Sequence, residues 1–188
     1  MLFYFRIDNL DAVLTDYPLC NDCQVHKGFY KAEQAVYADV LAQVETLVAK
    51  YPSYTVLVTG HSLGAAMATL TAMDLQNSGV GNVKLVNFGS PRVGDTNFAN
   101  WYSDNMAYRN RITHHKDMVP HCPMHERFTH ISGEWYEPDD TVPAYVNECS
   151  GKEDPDCSYQ WHITSISDHL WYLALPMGTD DDACDAVL

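Results

Sequence analysis

Residues 54–64 have the sequence YTVLVTGHSLG, and this stretch decides the fold. Its first half is β-branched and almost continuously apolar, which indicates a buried strand of a parallel sheet. The alanine-rich segment from Ala65 to Gln76 follows directly and predicts a helix. Between them, Gly60-His61-Ser62-Leu63-Gly64 matches the G-x-S-x-G nucleophile elbow, in which a serine is held at a sharp turn from strand to helix.

The elbow predicts both the conformation and the chemistry of its residues. We expect glycine to be required at Gly60 and at Gly64, because side chains at such a turn collide with neighbouring backbone. Ser62 is then held in a strained conformation with its hydroxyl accessible. The helix that follows brings its N-terminal dipole and the Leu63 N–H close to the oxyanion that forms in acyl transfer. Ser62 is therefore the predicted nucleophile and Leu63 the predicted backbone oxyanion donor.

Strands and helices alternate on both sides of the elbow. Apolar residues recur at helical spacing from Tyr30 to Lys50, and Pro52 lies just past the end of that helix. The alternation indicates an α/β fold with a mostly parallel sheet, and no linker or second domain is visible within residues 1–188. The remaining predicted elements are strands at Lys84–Phe88, Tyr108–Thr113 and Ile131–Tyr136, and a helix within Ile163–Leu175.

Composition and charge exclude some classes of partner. The chain has 188 residues, of which 46% are hydrophobic, a proportion that is typical of a globular protein. Its 25 acidic residues exceed its 11 basic ones, and the net charge of −14 disfavours binding to nucleic acid or to anionic lipid headgroups. The apolar run from Met1 to Phe5 is ended by Arg6 and Asp8, so it is too short for a signal peptide or a membrane span.

The six cysteines suggest an oxidising compartment. Two pairs lie close in the sequence, Cys20 with Cys23 and Cys149 with Cys157, and the turn-rich loop between the second pair suits a local disulfide. Six cysteines allow fifteen pairings, so these spacings leave the connectivity open. Disulfide bonds would place the protein in the secretory lumen or outside the cell, although the chain has no recognisable signal peptide.

A serine nucleophile needs a base within hydrogen-bond reach and an acid that orients the base. In α/β-hydrolases the acid and then the histidine follow the nucleophile along the chain, which favours His169, beyond all predicted strands. His61 is adjacent to the nucleophile, and we expect it to be a packing or turn residue that points elsewhere. Asp117 follows a predicted strand, where open α/β sheets gather functional groups. Asp74, inside a helix, and Asp168, next to the predicted base, are weaker candidates for the acid.

Six motifs occur along the chain in a fixed order. They are His26-Lys27-Gly28-Phe29, Tyr51-Pro52-Ser53-Tyr54, Val58-Thr59-Gly60-His61-Ser62-Leu63-Gly64, Pro91-Arg92-Val93-Gly94-Asp95, Asp117-Met118-Val119-Pro120-His121 and Asp168-His169-Leu170. In this order they resemble the fungal-type class 3 lipases, which are α/β-hydrolases, from about Asn9 to nearly the C-terminus.

The resemblance implies a catalytic triad of Ser62 as nucleophile, Asp117 as acid and His169 as base. It also implies the disulfides Cys20–Cys23 and Cys149–Cys157. The implied substrates are acylglycerols, with feruloyl-type aryl esters as the alternative. Partners are then a lipid or small ester and a transient contact with a lipid interface, and neither a metal nor an organic cofactor is needed.

The start of the chain departs from the family pattern. Members carry a phenylalanine-arginine-glycine loop with the second oxyanion donor, followed by a lid helix, whereas here Phe5-Arg6 is followed by Ile7-Asp8-Asn9. We therefore expect one α/β-hydrolase domain over residues 1–188, truncated at its N-terminus, with weak activity or as a non-catalytic remnant of the fold. Cys184 resembles a cysteine that pairs with the N-terminal region in relatives, so the pairing of Cys184 and Cys122 stays open.

Two further groups of residues have structural rather than functional interpretations. The histidine-rich segment matches no zinc spacing, and we interpret it as a polar loop beside the acid; its members are His114, His115, His121, Cys122, His125 and His130. The aromatic residues of the second half are interpreted as core rather than as an acyl pocket; they are Trp101, Trp135, Tyr136, Trp161, Trp171 and Tyr172.

Overall fold

The computed structural model describes residues 12–139 and 145–177. Two short antiparallel strands, β1 (Leu14–Asp16) and β2 (Gln24–His26), precede the long helix α1 (Lys27–Lys50). The remaining elements, in chain order, are β3 (Val56–His61), α2 (Leu63–Asn77), β4 (Val83–Phe88), α3 (Thr96–Asn105), β5 (Arg109–His114), β6 (Glu134–Glu137), β7 (Asn147–Glu148), β8 (Trp171–Tyr172) and β9 (Leu175–Pro176).

A five-stranded sheet in the order β3-β4-β5-β6-β7 forms the centre of the molecule. The first four strands are parallel, and only β7 pairs antiparallel, at one edge. This arrangement confirms the predicted α/β fold with a mostly parallel sheet. Because parallel strands end at the same edge, the segments that follow β3, β4 and β5 meet there.

Helix α2 packs on this sheet through small side chains. Ala65, Ala66 and Ala72 are fully buried, and the helix contacts β3 and β4. Short side chains let the helix axis lie close to the strands, and this fixes the direction in which the chain leaves β3 at Ser62. None of the described helices is long and apolar enough to cross a membrane.

The His26-Lys27-Gly28-Phe29 motif starts helix α1. The Nδ1 atom of His26 accepts hydrogen bonds from the backbone N–H groups of Gly28 at 3.1 Å and Phe29 at 3.3 Å. These are N–H groups that a helix leaves without an intrahelical partner, so His26 is the N-cap. Burial lowers the pKa of His26, which keeps Nδ1 unprotonated and able to accept.

The prediction of a helix within Ile163–Leu175 is wrong. This segment contains a single 3-10 turn, Asp168–Leu170, followed by the β8–β9 hairpin. Leu173 and Ala174 connect the two strands with φ values of 53° and 61°, a backbone that no right-handed helix contains. Tertiary contacts decide this conformation. Ser165 pairs with Asp117 in the loop that follows β5, which we call the acid loop, and the Leu173 N–H donates to Glu137.

Several other elements differ from the prediction or were missed. The predicted strand at Ile131–Tyr136 begins only at Glu134, because Gly133 turns the chain at φ 93°. Helix α3 was not predicted; it begins after the N-cap Asp95, whose side chain accepts from the Phe98 N–H at 2.8 Å. The short strands β1, β2 and β7 also lack a pattern long enough to recognise.

Both local disulfides are present. Cys20–Cys23 closes the turn between β1 and β2, and Cys149–Cys157 closes the loop after β7. They confirm the pairings that the family resemblance implied. Two sites of the sequence analysis lie outside the described residues: Phe5-Arg6, where the chain departs from the oxyanion loop of the family, and Cys184.

A buried carboxyl group lies between α1 and α2. Glu33 is fully buried, and its oxygens accept from Gln34 Nε2 at 2.9 Å and Thr71 Oγ1 at 3.3 Å. Among the described residues no basic side chain pairs with it. Burial raises the pKa of Glu33 to about 7, and the nearby charge of Asp74 acts in the same direction.

Glu33→Gln is therefore expected to remove a pH-dependent cost to stability. The folded protein retains a proton on Glu33 that the unfolded chain releases near pH 4.5, so the free energy of unfolding falls as pH rises through about 7. A shift of this size corresponds to roughly 3 kcal/mol above pH 8. In thermal unfolding we expect the variant to melt about 6–12 °C higher than the wild type at pH 9, with little difference near pH 4.

Glu45→Gln is the matched control, since Glu45 lies on the same helix and is exposed. This variant should follow the wild-type pH dependence throughout. A Glu33→Gln variant that melts with the wild-type protein at every pH would show that the buried carboxyl group does not retain its proton.

Candidate active site

The chain turns from β3 into α2 at Ser62, as the elbow predicts. Ser62 has φ 59° and ψ −126°, a backbone conformation that residues with a side chain rarely adopt, and its N–H donates to the Phe88 carbonyl at 3.1 Å. A Cβ atom at Gly60 would lie 2.3 Å from the Gly64 carbonyl oxygen, so glycine is required there. The same expectation for Gly64 is wrong, because a Cβ atom at Gly64 would meet no atom within 4 Å.

The two glycines of the elbow are thus predicted to respond in opposite directions. We expect Gly60→Ala to lower the free energy of unfolding by at least about 2 kcal/mol, because a backbone atom blocks the added methyl group. Gly64 lies in the first turn of α2, where alanine is favoured over glycine by about 0.5–1 kcal/mol, so Gly64→Ala should be neutral or stabilising. Urea unfolding of both variants measures the difference, and equal effects at the two positions would contradict this geometry.

Asp117 and His169 form a buried pair beside the carboxyl ends of the strands. The Nδ1–H of His169 donates to Asp117 Oδ2 at 2.8 Å, and the two residues are 5% and 1% exposed. Asp117 Oδ1 accepts from the Val119 N–H at 2.8 Å, and Oδ2 also accepts from the Tyr172 hydroxyl at 2.5 Å. With Nδ1 as the donor, Nε2 of the neutral imidazole is the nitrogen that can accept a proton.

The loops that carry the acid and the base are joined through their backbones. Ser165 N–H donates to the Lys116 carbonyl at 2.7 Å, and Met118 N–H donates to the Ser165 carbonyl at 3.2 Å. Asp168 strengthens this junction, since it accepts from the Lys116 N–H at 3.1 Å and pairs with His115 at 2.9 Å. The position of the base relative to the acid is therefore set by a short parallel bridge between the two loops.

The carboxylates considered as alternative acids have other partners. Asp168 faces His115 and the loop backbone, and Asp74 accepts hydrogen bonds from Tyr17 and Gln34 between the helices. Within the described part of the chain, the ring of His169 is hydrogen-bonded to Asp117 alone among the carboxylates. The geometry thus brings together the acid and base that the sequence selected.

Tyr172 is a site residue that the sequence interpretation assigned only to the core. Its ring is fully buried, and its hydroxyl donates to the same carboxylate oxygen that holds His169. Burial and the Asp117 charge raise the pKa of Tyr172 well above its ordinary value, so the phenol remains a donor. Its position three residues after the predicted base was the available signal.

Gly89 was also missed, although it follows β4 directly. It has φ 55°, and a Cβ atom there would lie 2.9 Å from Asp117 Oδ2, 2.9 Å from the Tyr172 hydroxyl and 3.0 Å from His169 Cε1. Only glycine leaves room for the acid and base at this edge of the sheet. A glycine at the carboxyl end of a predicted parallel strand was the signal that could have found it.

The nucleophile end of the site is more open. Ser62 is partly exposed, and no hydrogen bond within the described residues joins its hydroxyl to His169. Leu63 is the first residue of α2, and the first N–H groups of a helix have no intrahelical acceptor. The Leu63 N–H is thus available to an external oxygen next to Ser62.

A buried ion pair supports the far side of the acid loop. The guanidinium group of Arg92 donates to the carbonyl oxygens of His121 at 2.6 Å and Pro123 at 2.8 Å, and it binds both oxygens of Glu153. Burial opposes ionisation of Glu153, but the hydrogen bonds and charge of Arg92 outweigh it and lower the pKa of this carboxyl group. Since Glu153 lies in the loop closed by Cys149–Cys157, that disulfide supports the acid loop indirectly.

The histidine-rich segment does not gather into a metal site in the described residues. His114 donates from Nδ1 to the Asp168 carbonyl at 2.8 Å, and His130 donates from Nε2 to the Pro120 carbonyl at 2.7 Å. Among the described residues, metal-ligand spacing occurs only at Cys149, Asp154 and Cys157. Both of those sulfur atoms already form a disulfide bond.

Comparisons with known proteins agree on one family. The family model for lipase (class 3) matches residues 3–127. The chain is 41% identical over 180 residues to a lipase of Rhizomucor miehei, a match that covers 92% of this chain and 49% of that protein. It is 32% identical over 168 residues to the secreted mono- and diacylglycerol lipase A of Penicillium cyclopium, covering 85% of this chain and 55% of that protein.

Solved structures extend this similarity to the fold. A triacylglycerol lipase whose catalytic centre is formed by a serine protease triad superposes with a TM-score of 0.86 at 37% identity. The superposition covers 92% of this chain and 67% of that one. The chain spans about half the length of the curated relatives that it matches.

Proposed function

Because the chain belongs to the class 3 lipase family, we propose that it is a serine carboxylic ester hydrolase that acts on acylglycerols. The observation that carries the proposal is the buried hydrogen bond of 2.8 Å between Asp117 and His169, at the sheet edge where the strained Ser62 follows β3. An acid, a base and a serine on a strand-to-helix turn are the groups that acyl transfer requires.

The chemistry assigns one role to each of these residues. His169 Nε2 takes the proton of the Ser62 hydroxyl as its oxygen attacks the ester carbonyl carbon. Asp117 holds the imidazole in the required tautomer and stabilises the imidazolium ion, and the Leu63 N–H donates to the oxyanion. The imidazolium ion then protonates the departing alcohol, which leaves an acyl group on Ser62.

Water completes the cycle in the same way. His169 takes a proton from a water molecule that attacks the acyl carbon, and the returning proton restores the Ser62 hydroxyl as the carboxylic acid departs. The only protonation changes are on His169 and the reacting oxygens. The Tyr172 hydroxyl remains a hydrogen-bond donor to Asp117 throughout, since burial and the Asp117 charge keep it protonated.

The choice of acylglycerol as substrate rests on the relatives. The matched proteins include a secreted mono- and diacylglycerol lipase and a triacylglycerol lipase, so glycerol esters of fatty acids are the substrate class that we propose. The two disulfides and the secreted relative support an extracellular location. The partner is then a lipid substrate met at its interface with water.

Covalent labelling tests the proposal most directly. Purified protein is incubated with diethyl p-nitrophenyl phosphate, and we expect one phosphoryl group per chain, located at Ser62 by peptide mass spectrometry. Hydrolysis of tributyrin and of methyl ferulate is measured beside it, and tributyrin should be the better substrate. Labelling at another residue would contradict the role of Ser62 as nucleophile. A folded protein that neither reacts nor hydrolyses would show that this chain is a non-catalytic remnant. Faster cleavage of methyl ferulate than of tributyrin would make aryl esters, rather than acylglycerols, the substrate class.

A further inference from the structure

His61 makes two contacts with the base, although 108 residues separate them in the chain. Its Nε2–H donates to the backbone carbonyl oxygen of His169 at 2.9 Å. Its ring also stacks on the imidazole of His169, with centroids 4.3 Å apart and an angle of 29° between the planes. The expectation that His61 packs is met, but it packs against the base rather than away from it.

A carbonyl oxygen can only accept, so the hydrogen bond fixes Nε2 of His61 as protonated. Burial lowers the pKa of His61, and the neighbouring His169 acts in the same direction, so the ring is neutral in the folded protein. The titratable groups that face His61 are His169 from the 3-10 turn, Tyr172 from β8 and, more distantly, Asp117. The hydrogen bond to the His169 carbonyl and the charge of Asp117 favour a protonated His61, but burial and the ring of His169 outweigh them and lower its pKa.

Other contacts of the stretch around the base are to its backbone and to Asp168, through the Asp117–Ser165 bridge and the Lys116 N–H. His169 lies in a one-turn 3-10 helix, and its neighbour Leu170 is half exposed. His114 holds the preceding carbonyl group, that of Asp168, at 2.8 Å. The two histidines therefore bind successive carbonyl groups on either side of the base, and His61 alone of the two also covers a face of the catalytic ring.

We propose that His61 is a positioning residue for His169, an inference that rests on the proposed hydrolase function. As a neutral donor it fixes the backbone of the base, and as a stacked ring it restricts rotation of the imidazole about its bond to Cβ. A protonated His61 would place a second positive charge against the imidazolium ion that forms during catalysis, and like charges at this separation repel. His61, the residue before the nucleophile Ser62, thus contributes to the geometry of the base.

Three substitutions separate the two contacts. His61→Phe keeps a ring for stacking but removes the donor, His61→Gln keeps a donor but removes the ring, and His61→Ala removes both. A displacement of the base of about 1 Å can cost up to 10²-fold in rate, so we expect kcat for tributyrin to fall about 10- to 100-fold in His61→Ala, with KM little changed. His61→Gln and His61→Phe should each recover part of this loss. His125→Phe, at an exposed position whose ring contacts Tyr159 and not His169, is the matched control.

The pH profile distinguishes positioning from a purely structural role. In the wild-type protein, protonation of His61 adds to protonation of the base, so kcat/KM should fall more steeply at acid pH than in His61→Gln or His61→Phe. Parallel pH profiles in all variants, with kcat following the melting temperature, would overturn the proposal.

Proton NMR of the His169 Nδ1–H, which is bonded to Asp117, gives a readout that does not need activity. We expect its low-field resonance to be sharp in the wild type, broadened by solvent exchange in His61→Ala and sharper again in His61→Gln. An unbroadened resonance with unchanged kcat in His61→Ala would refute the positioning role. If the wild-type protein hydrolyses no ester, the proposed function fails by itself, and this resonance still decides whether His61 holds the base.

Discussion

Ser62→Ala is expected to reduce kcat/KM for p-nitrophenyl butyrate by at least about 10⁴-fold, to the level left by binding and the oxyanion donor alone. The hydroxyl oxygen is the atom that bonds to the acyl carbon, and no other side chain in the described site replaces it. The measurement is the initial rate of p-nitrophenol release by the purified variant beside the wild type. Unchanged hydrolysis would place the reaction elsewhere in the molecule.

Two further substitutions make the Ser62 experiment specific. Ser53→Ala removes an exposed hydroxyl in the turn before β3 and should leave the rate unchanged. Ser62→Gly should be as inactive as Ser62→Ala but more stable by about 1 kcal/mol, because glycine adopts φ 59° without strain. Urea unfolding measures this difference, and it separates loss of the nucleophile from loss of the fold.

Asp117→Asn is expected to give the second-largest loss, about 10⁴-fold in kcat near neutral pH. The substitution keeps the size of the side chain but replaces an acceptor oxygen with a donor nitrogen. The imidazole of His169 then favours the tautomer with its proton on Nε2, and that nitrogen can no longer take the proton of Ser62. Stopped-flow or steady-state rates with p-nitrophenyl butyrate measure the effect.

Asp168→Asn is the matched comparison for Asp117→Asn. It changes the other carboxylate near the base, whose partners are His115 and the Lys116 N–H, so it should cost much less, about 10-fold or below. If the two substitutions had equal effects, the assignment of Asp117 as the orienting acid would be wrong.

The elements that the sequence predicted are those with a strong local pattern. The strand before Ser62 is β-branched and almost continuously apolar, the helix after it is rich in alanine, and α1 has apolar residues at helical spacing. The order of nucleophile, acid and histidine in α/β-hydrolases favoured Asp117 and His169, the family resemblance implied the same residues, and the geometry of this pair agrees with both. The catalytic roles of these residues stay predictions until the substitutions are measured.

The failures have a common physical origin. The segment Ile163–Leu175 has no glycine or proline and suits a helix locally, yet pairing of Ser165 with the acid loop outweighs that preference. The requirement for glycine at Gly64 was inferred from the motif, but the space beside it is open, and it is Gly64 that blocks a side chain at Gly60.

The sequence by itself determined the order of strands and helices around the elbow and the position of Ser62, and it placed two pairs of cysteines close enough for local disulfides. Each of these features depends on residues close together in the chain. Only the tertiary structure decided that Tyr172 and His169 share one oxygen of Asp117, that Gly89 leaves room for them and that His61 stacks on the base. These contacts join residues between 28 and 108 positions apart. They depend on how the carboxyl ends of the parallel strands meet, and no local periodicity records that.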